Sequence, residues 1–455
     1  MKRILQNTLD QWLLDSFRKP LILRGARQVG KTWLIRDLAK RHTMDLIEFN
    51  FERDPGAKRL FLSNDPKTIL GEISLRLGRI INPEKTLLFL DEIQAADGLL
   101  SKLRWFAEDM AELPIVAAGS LLEFSLADHT YSMPVGRVNF LHLEPMAFSE
   151  FLLAHDQKLL LDRLKSWCAD SEISPTFHEL AHIWFYRYCM VGGMPAVINS
   201  DITGSEAWRI RDIQYDLTAT YRADFTKYNK KVHNQLLEAT LASVASSVGK
   251  KFVFSRVQEA VKHSDVRQSL DMLCKARVCH KVRHSSANGL PLAGEVKDTF
   301  RKVIFNDIGI FHAILQTPAQ TTFPQLEMIA PQVRSQMIEQ IAGQQFRTLG
   351  PCTGDGPDLF YWQREGGRPG EIDYLLQLDG KIVPVELKSG VAGSMKSLHQ
   401  FMFDKKLDYA LRFDHNPPSV FDVSVKTTQG DPVQYRLKSL PYYFLGIGID
   451  VLKNL

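Results

Sequence analysis

The stretch that decides the fold is Gly25-Ala26-Arg27-Gln28-Val29-Gly30-Lys31-Thr32, which lies between two segments of different periodicity. The preceding run, Pro20 to Arg24, predicts a strand, and Trp33 to Lys40 predicts a helix. A glycine-rich loop in this context turns backbone N–H groups toward a phosphate at the helix N-terminus. Lys31 would reach the β- and γ-phosphates of ATP, and Thr32 would offer its hydroxyl to Mg²⁺. All eight residues are therefore predicted to bind the nucleotide.

A second motif follows the apolar run Leu87 to Leu90. This run predicts a buried strand that brings Asp91 to the carboxyl edge of a sheet, where its carboxylate can hold the water shell of Mg²⁺. Glu92, next in the chain, is the candidate general base or water-orienting group for hydrolysis. The alternative for Glu92 is a solvated carboxylate at a strand end.

Four polar residues near these motifs are further candidates, and three of them have two interpretations. Ser120, after the strand Pro114 to Ala118, is either a sensor of the γ-phosphate or the N-cap of the next helix. Arg137 is either an arginine finger for a neighbouring subunit or an ordinary surface arginine, and Arg27 is a second candidate for neutralising transition-state charge. Asn50 could hold the catalytic carboxylate in an inactive pose, although a turn-forming role is favoured.

The pattern of apolar runs predicts an α/β fold class. Short runs separated by helical stretches continue from Lys19 to about Leu143, as is typical of parallel strands buried on both faces. Helical periodicity follows, and then two helices, Ser255 to Lys262 and Val266 to Ala276, precede a strand pair that suggests a winged-helix-like module. The predicted domains are an ATPase core at 1–143, a helical lid or connector at 144–240, the winged-helix-like module at 241–330, and a small α/β domain at 331–455.

The last predicted domain carries a second set of acids. Asp373 lies on one predicted strand, and Glu386 and Lys388 share one face of the next because strand side chains alternate. Two carboxylates can bind a divalent metal that activates water against a phosphodiester, while a lysine polarises the nucleophile. Glu339, on the preceding helix, is the candidate third acid, and Gln400 could orient a ligand. The alternative is a pair of solvated strands with an ion pair between Glu386 and Lys388.

Composition excludes some classes of protein and leaves others open. The chain has 455 residues, a formal charge of +4 and 45% hydrophobic residues, which are typical of a folded protein of about three domains. The mild positive charge permits a nucleic-acid partner without arguing for one. Five scattered cysteines without a C-x-x-C pair predict reduced thiols rather than a disulfide framework or a zinc site. The absence of a signal peptide and of any run of 18 apolar residues predicts a cytoplasmic protein with no membrane partner.

Two basic clusters could contact phosphate backbones, although solvated faces explain charge runs equally well. One surrounds Tyr228, and the other lies on the strand pair of the winged-helix-like module. Their members are Lys227, Lys230, Lys231 and His233 in the first, and Lys281, Arg283, His284, Arg301 and Lys302 in the second.

As a set, these motifs resemble the AAA-type ATPase family of bacteria and archaea that carries a C-terminal domain long labelled as of unknown function. The resemblance runs nearly end to end and rests on five marks besides the segment from Glu371 to Lys388. They are the loop at 25–32, Leu88-Phe89-Leu90-Asp91-Glu92-Ile93-Gln94, Ala118-Gly119-Ser120, Gly136-Arg137, and Gly192-Gly193-Met194-Pro195. The C-terminal part also resembles the PD-(D/E)xK nuclease superfamily at Asp373, Glu386 and Lys388, although Ile372 stands where that superfamily usually has proline.

The resemblance implies an AAA+ motor, a winged-helix connector and a restriction-endonuclease-like domain, assembled as a homo-oligomer with a hexameric ring as one form. The implied cofactors are ATP and Mg²⁺, with Mn²⁺ as an alternative at the nuclease-like site, and the implied partner is duplex or branched DNA. The resulting hypothesis is an ATP-driven DNA-processing enzyme that cuts DNA. Two alternatives remain, namely a translocase that remodels DNA without cleavage, and a regulatory ATPase switch whose nuclease fold only binds.

Overall fold

The five apolar runs predicted before Leu143 are the strands of one parallel sheet. The strands are β1 (Leu21–Arg24), β2 (Asp45–Asn50), β3 (Thr86–Asp91), β4 (Ile115–Ala118) and β5 (Asn139–His142). Their order is β2-β3-β4-β1-β5, and every neighbouring pair is parallel. All residues of β3 and β4 are buried, which explains why these strands are continuously apolar rather than alternating. The prediction of an α/β domain around the phosphate loop is confirmed.

Helices cover this sheet, and each begins or ends at a residue suited to that position. They are α1 (Leu5–Leu14), α2 (Lys31–Arg41), α3 (Pro66–Leu77) and α4 (Leu99–Asp109). In α2 the buried side chains Leu34, Ile35 and Leu38 form one apolar stripe. In α3 the carboxylate of Asp65 accepts hydrogen bonds from the first turn, and Gly78 ends the helix with φ of +65°.

The structure, a computed structural model, describes residues 1–119, 136–167, 172–228, 234–318, 330–350, 352–354, 356–366, 370–388 and 395–447. Its chain divides into two units. The first comprises Met1–Glu144, Lys275–Arg277 and Pro351–Gly356, and the second comprises Pro145–Cys274, Val278–Gly350 and Pro357–Leu455. The four domain boundaries expected from the sequence stay predictions.

Helices dominate the chain after Glu144, as the periodicity predicts. Those described are α5 (Phe148–Ala154), α6 (Lys158–Ser166), α7 (Pro175–Val191), α8 (Pro195–Ile202), α9 (Ala207–Tyr228), α10 (Asn234–Ser247), α11 (His263–Lys275), α12 (Ile308–Leu315), α13 (Pro331–Leu349) and α14 (Lys396–Lys405). The predicted helix from Ser255 to Lys262 is wrong, because only Phe254–Arg256 form a single 3₁₀ turn there. No helix among the described residues has the length and apolarity needed to cross a membrane.

The strands of the second unit form one eight-stranded mixed sheet. They are β6 (Cys279–Ser285), β7 (Val296–Phe305), β8 (Leu359–Gln363), β9 (Glu371–Leu378), β10 (Lys381–Leu387), β11 (Tyr409–Asp414), β12 (Ser419–Lys426) and β13 (Pro432–Pro441). Their order is β12-β13-β11-β10-β9-β8-β6-β7. The helix, three-strand, helix order predicted for the C-terminal part is present as α13, β8 to β10 and α14, and β11 then pairs in parallel with β10.

The strand pair expected to form a wing is part of this sheet. β6 and β7 pair antiparallel as predicted, but the other edge of β6 pairs in parallel with β8. A wing projects from its module and leaves its outer edges free, whereas five of the seven residues of β6 are buried. The expectation of a separate winged-helix-like module is therefore corrected, since its hairpin belongs to the same sheet as the C-terminal strands.

The Gly192-Gly193-Met194-Pro195 turn has a structural role around one buried carboxylate. Asp307 accepts hydrogen bonds from Gly193 N at 2.6 Å, from Gly309 N at 2.8 Å and from Gln344 Nε2 at 3.0 Å. A Cβ at position 193 would lie 2.4 Å from the carbonyl oxygen of Met146, so only glycine fits. Asp307 thus ties the turn to α12 and α13.

Replacing this carboxylate should destabilise the second unit. Asp307→Ala leaves buried N–H groups without partners, and we expect the free energy of unfolding to fall by about 3 kcal/mol. The measurement is urea unfolding followed by circular dichroism. The matched control is Asp422→Ala, whose side chain is 82% exposed beside Arg436 and which should change the free energy by less than about 0.5 kcal/mol. Equal losses in the two variants would contradict the role given to Asp307.

Candidate functional site

The phosphate loop begins where β1 ends, at the carboxyl edge of the parallel sheet. Gly25 has φ of +155°, and a Cβ there would lie 2.5 Å from the carbonyl oxygen of Leu143. Gly30 has φ of +97° and occupies the N-cap of α2. Both glycines are therefore required by the backbone, as the motif predicts. The loop ends at Lys31 and Thr32, the first two residues of α2.

Lys31 is buried inside this loop. Its Nζ donates hydrogen bonds to the carbonyl oxygens of Gly25 and Ala26, each at 2.9 Å. Burial lowers the pKa of Lys31 to about 8, although the carboxylates of Glu92 and Asp91 act in the opposite direction. Neutral carbonyls are weak partners for an ammonium, so the site favours the binding of an anion such as a phosphate.

Asp91 lies at the end of β3, next to the hydroxyl of Thr32. Its Oδ2 accepts hydrogen bonds from Thr32 Oγ1 at 3.1 Å and from Asn50 Nδ2 at 3.2 Å. Burial raises the pKa of Asp91, and the neighbouring Glu92 raises it further. A hydroxyl and a carboxylate that converge in this way are hard oxygen ligands, which Mg²⁺ prefers. The residues present therefore fit the predicted cation.

Glu92 is held by a residue to which the sequence analysis assigned no role. Glu92 adopts a left-handed backbone with φ of +50°, and its Oε2 accepts a hydrogen bond from Gln94 Nε2 at 2.6 Å. A Cβ at Gly119 would lie 1.9 Å from Gln94 Oε1, so the glycine makes room for this side chain. Asn50 binds Asp91 and accepts from Arg53 N at 2.9 Å, as in the favoured turn-forming interpretation. The polar residue two positions after Glu92 was the only signal in the sequence.

The three other candidates of the ATPase motifs have different outcomes. Arg137 is half exposed, and its Nε donates to Glu108 Oε1 of the same chain at 2.8 Å. Its role as a finger stays a prediction, because the structure holds one chain. Ser120 lies outside the described residues. Arg27 is partly exposed within the phosphate loop.

A third arginine, Arg277, enters the first unit from far along the chain. Its guanidinium hydrogen-bonds His142 Nδ1 and lies 3.6 Å from Glu144 Oε1. Because a guanidinium only donates, Nδ1 of His142 must accept, and Nε2 carries the hydrogen that it donates to Gly354 O at 2.8 Å. Burial lowers the pKa of His142 to about 3, with Arg277 as the second cause, so the imidazole is neutral. Arg277 also lowers the pKa of Lys31, so its charge acts on the phosphate loop.

Arg277 could not be found from sequence. It lies in a turn between α11 and β6 with φ of +56°. No local pattern connects residue 277 to a loop at 25–32. Its charge reaches the loop only through the tertiary fold.

The structure brings together Asp373, Glu386 and Lys388, the predicted residues of the C-terminal acid set. Asp373 on β9 accepts a hydrogen bond from Leu387 N at 2.8 Å, and Lys388 Nζ lies 2.5 Å from Glu386 Oε1. Burial raises the pKa of Glu386, and Asp373 adds to this rise. Glu386 Oε2 is buried and has no hydrogen-bond partner among the described residues. The predicted pairing of one acid per strand with a lysine on the second strand is therefore present.

A buried lysine that was predicted to lie on an exposed basic surface joins these acids. Lys302 on β7 is 1% exposed, and its Nζ lies 2.5 Å from Glu371 Oε1, 3.1 Å from Glu339 Oε2 and 3.9 Å from Asp373 Oδ1. Burial alone would lower the pKa of Lys302, but these carboxylates outweigh it and raise the pKa well above its ordinary value. Burial raises the pKa of Glu339; Lys302 acts against this rise, whereas Asp373 and Glu371 add to it.

Of the predicted metal ligands, Glu339 and Asp373 thus lie near Lys302, and Glu386 pairs with Lys388. Within the described part of the chain, no three acid, histidine or cysteine side chains converge as ligands of a metal ion. Gln400 is buried on α14 and donates to Asp404 Oδ1 at 2.8 Å. Its role in orienting a ligand stays a prediction.

Two of the four remaining basic residues of the predicted wing are paired with acids. Lys281 lies 2.5 Å from Asp271, and Arg283 lies 3.2 Å from Asp358. The other basic cluster falls on 227–233, where 229–233 lie outside the described residues. The β6–β7 hairpin therefore offers less free positive charge than its composition suggests.

The four cysteines that the structure describes are free thiols, as predicted. Cys189 and Cys279 are buried, whereas Cys274 and Cys352 are partly exposed. Cys168 lies outside the described residues.

Two of the solved structures that resemble the chain are distant from it. A structure of PCH-2 from C. elegans is 15% identical, with a TM-score of 0.27, over 43% of this chain and 60% of that one. A signal transduction ATPase with numerous domains and a tetratricopeptide repeat sensor, from Pyrococcus horikoshii, is 11% identical, with a TM-score of 0.24, over 75% of this chain and 48% of that one. The chain thus spans about half to three fifths of the length of each. No curated protein matches it.

Family models divide the chain into three matched regions. Residues 17–152 match a model described as an AAA domain. Residues 183–321 and 334–428 match two models described as domains of unknown function, DUF8612 and DUF4143. The first match covers the phosphate loop, Asp91, Glu92 and Arg137. The chain therefore carries an AAA domain of the ATPase type at residues 17–152 and a DUF4143 domain at residues 334–428.

Proposed function

We propose that this ATPase processes DNA, and that ATP hydrolysis in the first unit drives the action of the second unit on a DNA substrate. The observation that carries the ATPase part is the joining of two distant motifs, with Thr32 Oγ1 3.1 Å from Asp91 Oδ2 and Glu92 next to it. Residues 59 positions apart make this contact only when the sheet is correctly assembled.

Each residue of the first site has a proposed task. The backbone of 25–32 and Lys31 bind the phosphates, and Thr32 and Asp91 hold Mg²⁺, which neutralises phosphate charge when bound. Glu92 orients or deprotonates the attacking water once Gln94 releases it. The hydrogen bond of 2.6 Å from Gln94 holds the Glu92 carboxylate in a defined position.

Two arginines are proposed to stabilise charge on the transferred phosphoryl group. Arg277 acts within the same chain, where His142 and Glu144 orient its guanidinium. Arg137 acts on a neighbouring copy, for which the half-exposed side chain leaves room to exchange Glu108 for a nucleotide. This second role requires a homo-oligomer, with a hexameric ring as the form implied by the resemblance.

The topology of the C-terminal part supports DNA as the substrate. Helix α13, the antiparallel strands β8 to β10, helix α14 and the parallel strand β11 follow the order of the PD-(D/E)xK fold, with Asp373, Glu386 and Lys388 at the matching positions. The first candidate is a DNA-remodelling or regulatory ATPase in which this fold binds DNA without cutting it. Lys302, which forms ion pairs with Glu339 and Glu371, favours this candidate.

Metal-dependent cleavage is the second candidate. The buried Glu386 Oε2 without a partner among the described residues, and the lysine two residues later, are the observations in its favour. Mg²⁺ or Mn²⁺ would then be the cofactor of the second site.

The pKa of Lys31 predicts how nucleotide affinity depends on pH. In the free protein the ammonium loses its proton above about pH 8, so ATP affinity should fall by up to about tenfold for each further pH unit. Near that pH, ATP binding should take up a proton, because phosphates favour the charged lysine. Calorimetry in buffers of different ionisation enthalpy measures both effects. Affinity that stays constant between about pH 7 and about pH 9 would show that Lys31 remains charged.

Arg277 should matter for turnover more than for binding. We expect Arg277→Ala to lower kcat for ATP hydrolysis by about tenfold or more, with a smaller change in KM, because its charge acts mainly in the transition state. Arg277→Lys should restore part of the rate. Arg267→Ala, an exposed arginine on α11, is the control and should leave the rate unchanged. A change confined to KM would assign Arg277 to nucleotide binding alone.

The DNA hypothesis is tested with duplex, single-stranded and four-way-junction DNA, each with Mg²⁺ or Mn²⁺ and with or without ATP. The first candidate predicts that DNA stimulates ATP hydrolysis by at least about twofold and stays intact. Lys31→Ala should abolish hydrolysis without abolishing DNA binding.

Cleavage by wild type that Lys388→Ala removes would instead establish the second candidate, and Lys31→Ala would then report whether ATP controls cutting. Hydrolysis indifferent to every DNA, together with no DNA binding, would refute the proposal that DNA is the substrate.

A further inference from the structure

The acids of the C-terminal motif surround a cation that belongs to the chain itself. Lys302 Nζ lies within 4 Å of Glu339, Glu371 and Asp373, on two different elements of the fold, α13 and β9. Its side chain is 1% exposed, so it reaches these acids from inside the protein rather than from solvent. The ring of Tyr361 covers another side of the ammonium, with its centroid 5.3 Å from Nζ.

A divalent cation bound to the same acids would meet this ammonium at very short range. Ligand oxygens lie about 2.0 to 2.6 Å from Mg²⁺, Mn²⁺ or Ca²⁺. An oxygen that already accepts a hydrogen bond from Lys302 would place the two cations only about 4 to 5 Å apart in a poorly hydrated interior. Glu339, one of the three predicted metal ligands, is in this position, and the carboxylate of Asp373, a second, lies 3.9 Å from the same ammonium.

The third predicted ligand also has a lysine partner. Glu386 Oε1 lies 2.5 Å from Lys388 Nζ, and only its Oε2 is left without a partner among the described residues. One carboxylate oxygen is too few for a protein-held divalent cation, which takes several oxygen ligands.

We propose that the Lys302 ammonium takes the place of a divalent cation in the C-terminal acid cluster, so that this site holds its charge balance without metal. The lysine bridges α13 and β9 as a shared metal ion would. This inference deepens the first candidate of the proposed function, because a site without metal can bind a substrate but lacks the activated water of a metal-dependent nuclease.

The test is calorimetric titration of nucleotide-free protein with MnCl₂. Wild type and Asp373→Asn are expected to give the same isotherm, because Asp373 already faces Lys302 and contributes no metal site. Lys302→Met removes the ammonium and keeps the chain length, and we expect it to gain one Mn²⁺ site at least about tenfold tighter than any in wild type. The double variant Lys302→Met/Asp373→Asn should lose that site again.

The matched control is Lys297→Met on the same strand, whose side chain is 47% exposed and pairs with Glu365. It should bind Mn²⁺ as wild type does. Circular dichroism checks that each variant is folded. If Lys302→Met does not fold, the comparison of wild type with Asp373→Asn still decides the question.

Two results would overturn the inference. One is a Mn²⁺ site in wild type that Asp373→Asn abolishes, and the other is folded Lys302→Met that gains no site. Neither result depends on DNA. A failure of DNA to bind or to stimulate ATP hydrolysis would refute the proposed function and leave the conclusion about Lys302 intact.

Discussion

The parallel register of the first sheet is the constraint on which the nucleotide site depends. Strand β1 lies between β4 and β5, and β3 pairs with both β2 and β4. In this register Asn50 lies opposite Asp91, and Asp91 lies opposite Ala118. Because parallel strands end at the same edge, the phosphate loop after β1 and the acids after β3 must meet there. A slip of one residue would turn Asp91 to the other face and separate it from Thr32.

Two buried lysines show how partners decide what an ammonium can do. Lys31 is surrounded by neutral carbonyl oxygens, and burial lowers its pKa to about 8. Lys302 is surrounded by carboxylates, which raise its pKa well above the ordinary value. The hydrogen bonds of the first ammonium go to neutral carbonyl oxygens, which suits it to bind phosphate. The second forms ion pairs with acids of its own chain.

The part of the candidate site that the sequence predicted is local. The loop at 25–32 and the acids Asp91 and Glu92 could be assigned because each set comes at the end of a predicted strand. The strand and the residues after it together span only about ten consecutive residues. Asp373, Glu386 and Lys388 could be paired because alternation along a strand determines which side chains share a face. Gln94, Arg277 and Lys302 were missed because spacing along the chain does not predict their contacts. Arg277 and Lys302 act on residues of other elements, and Gln94 contacts Glu92 where the backbone is left-handed.

The wing illustrates the same limit for the fold. The β6–β7 hairpin was predicted, since a strand pair and its turn are neighbours in the chain. Its pairing with β8 was not, because that contact joins residues about 75 positions apart and depends on backbone hydrogen bonds that carry no side-chain signature.

By itself, the sequence determined the phosphate loop, the strands of the parallel sheet and the acids at their ends, since glycine conformations and hydrophobic periodicity act over short distances. Only the tertiary structure decided that Arg277 lowers the pKa of Lys31 and that Lys302 lies within 4 Å of three acids of the C-terminal part. The physical reason is that charge interactions depend on distance in space and on burial. Both are set by packing between elements that are remote in the chain.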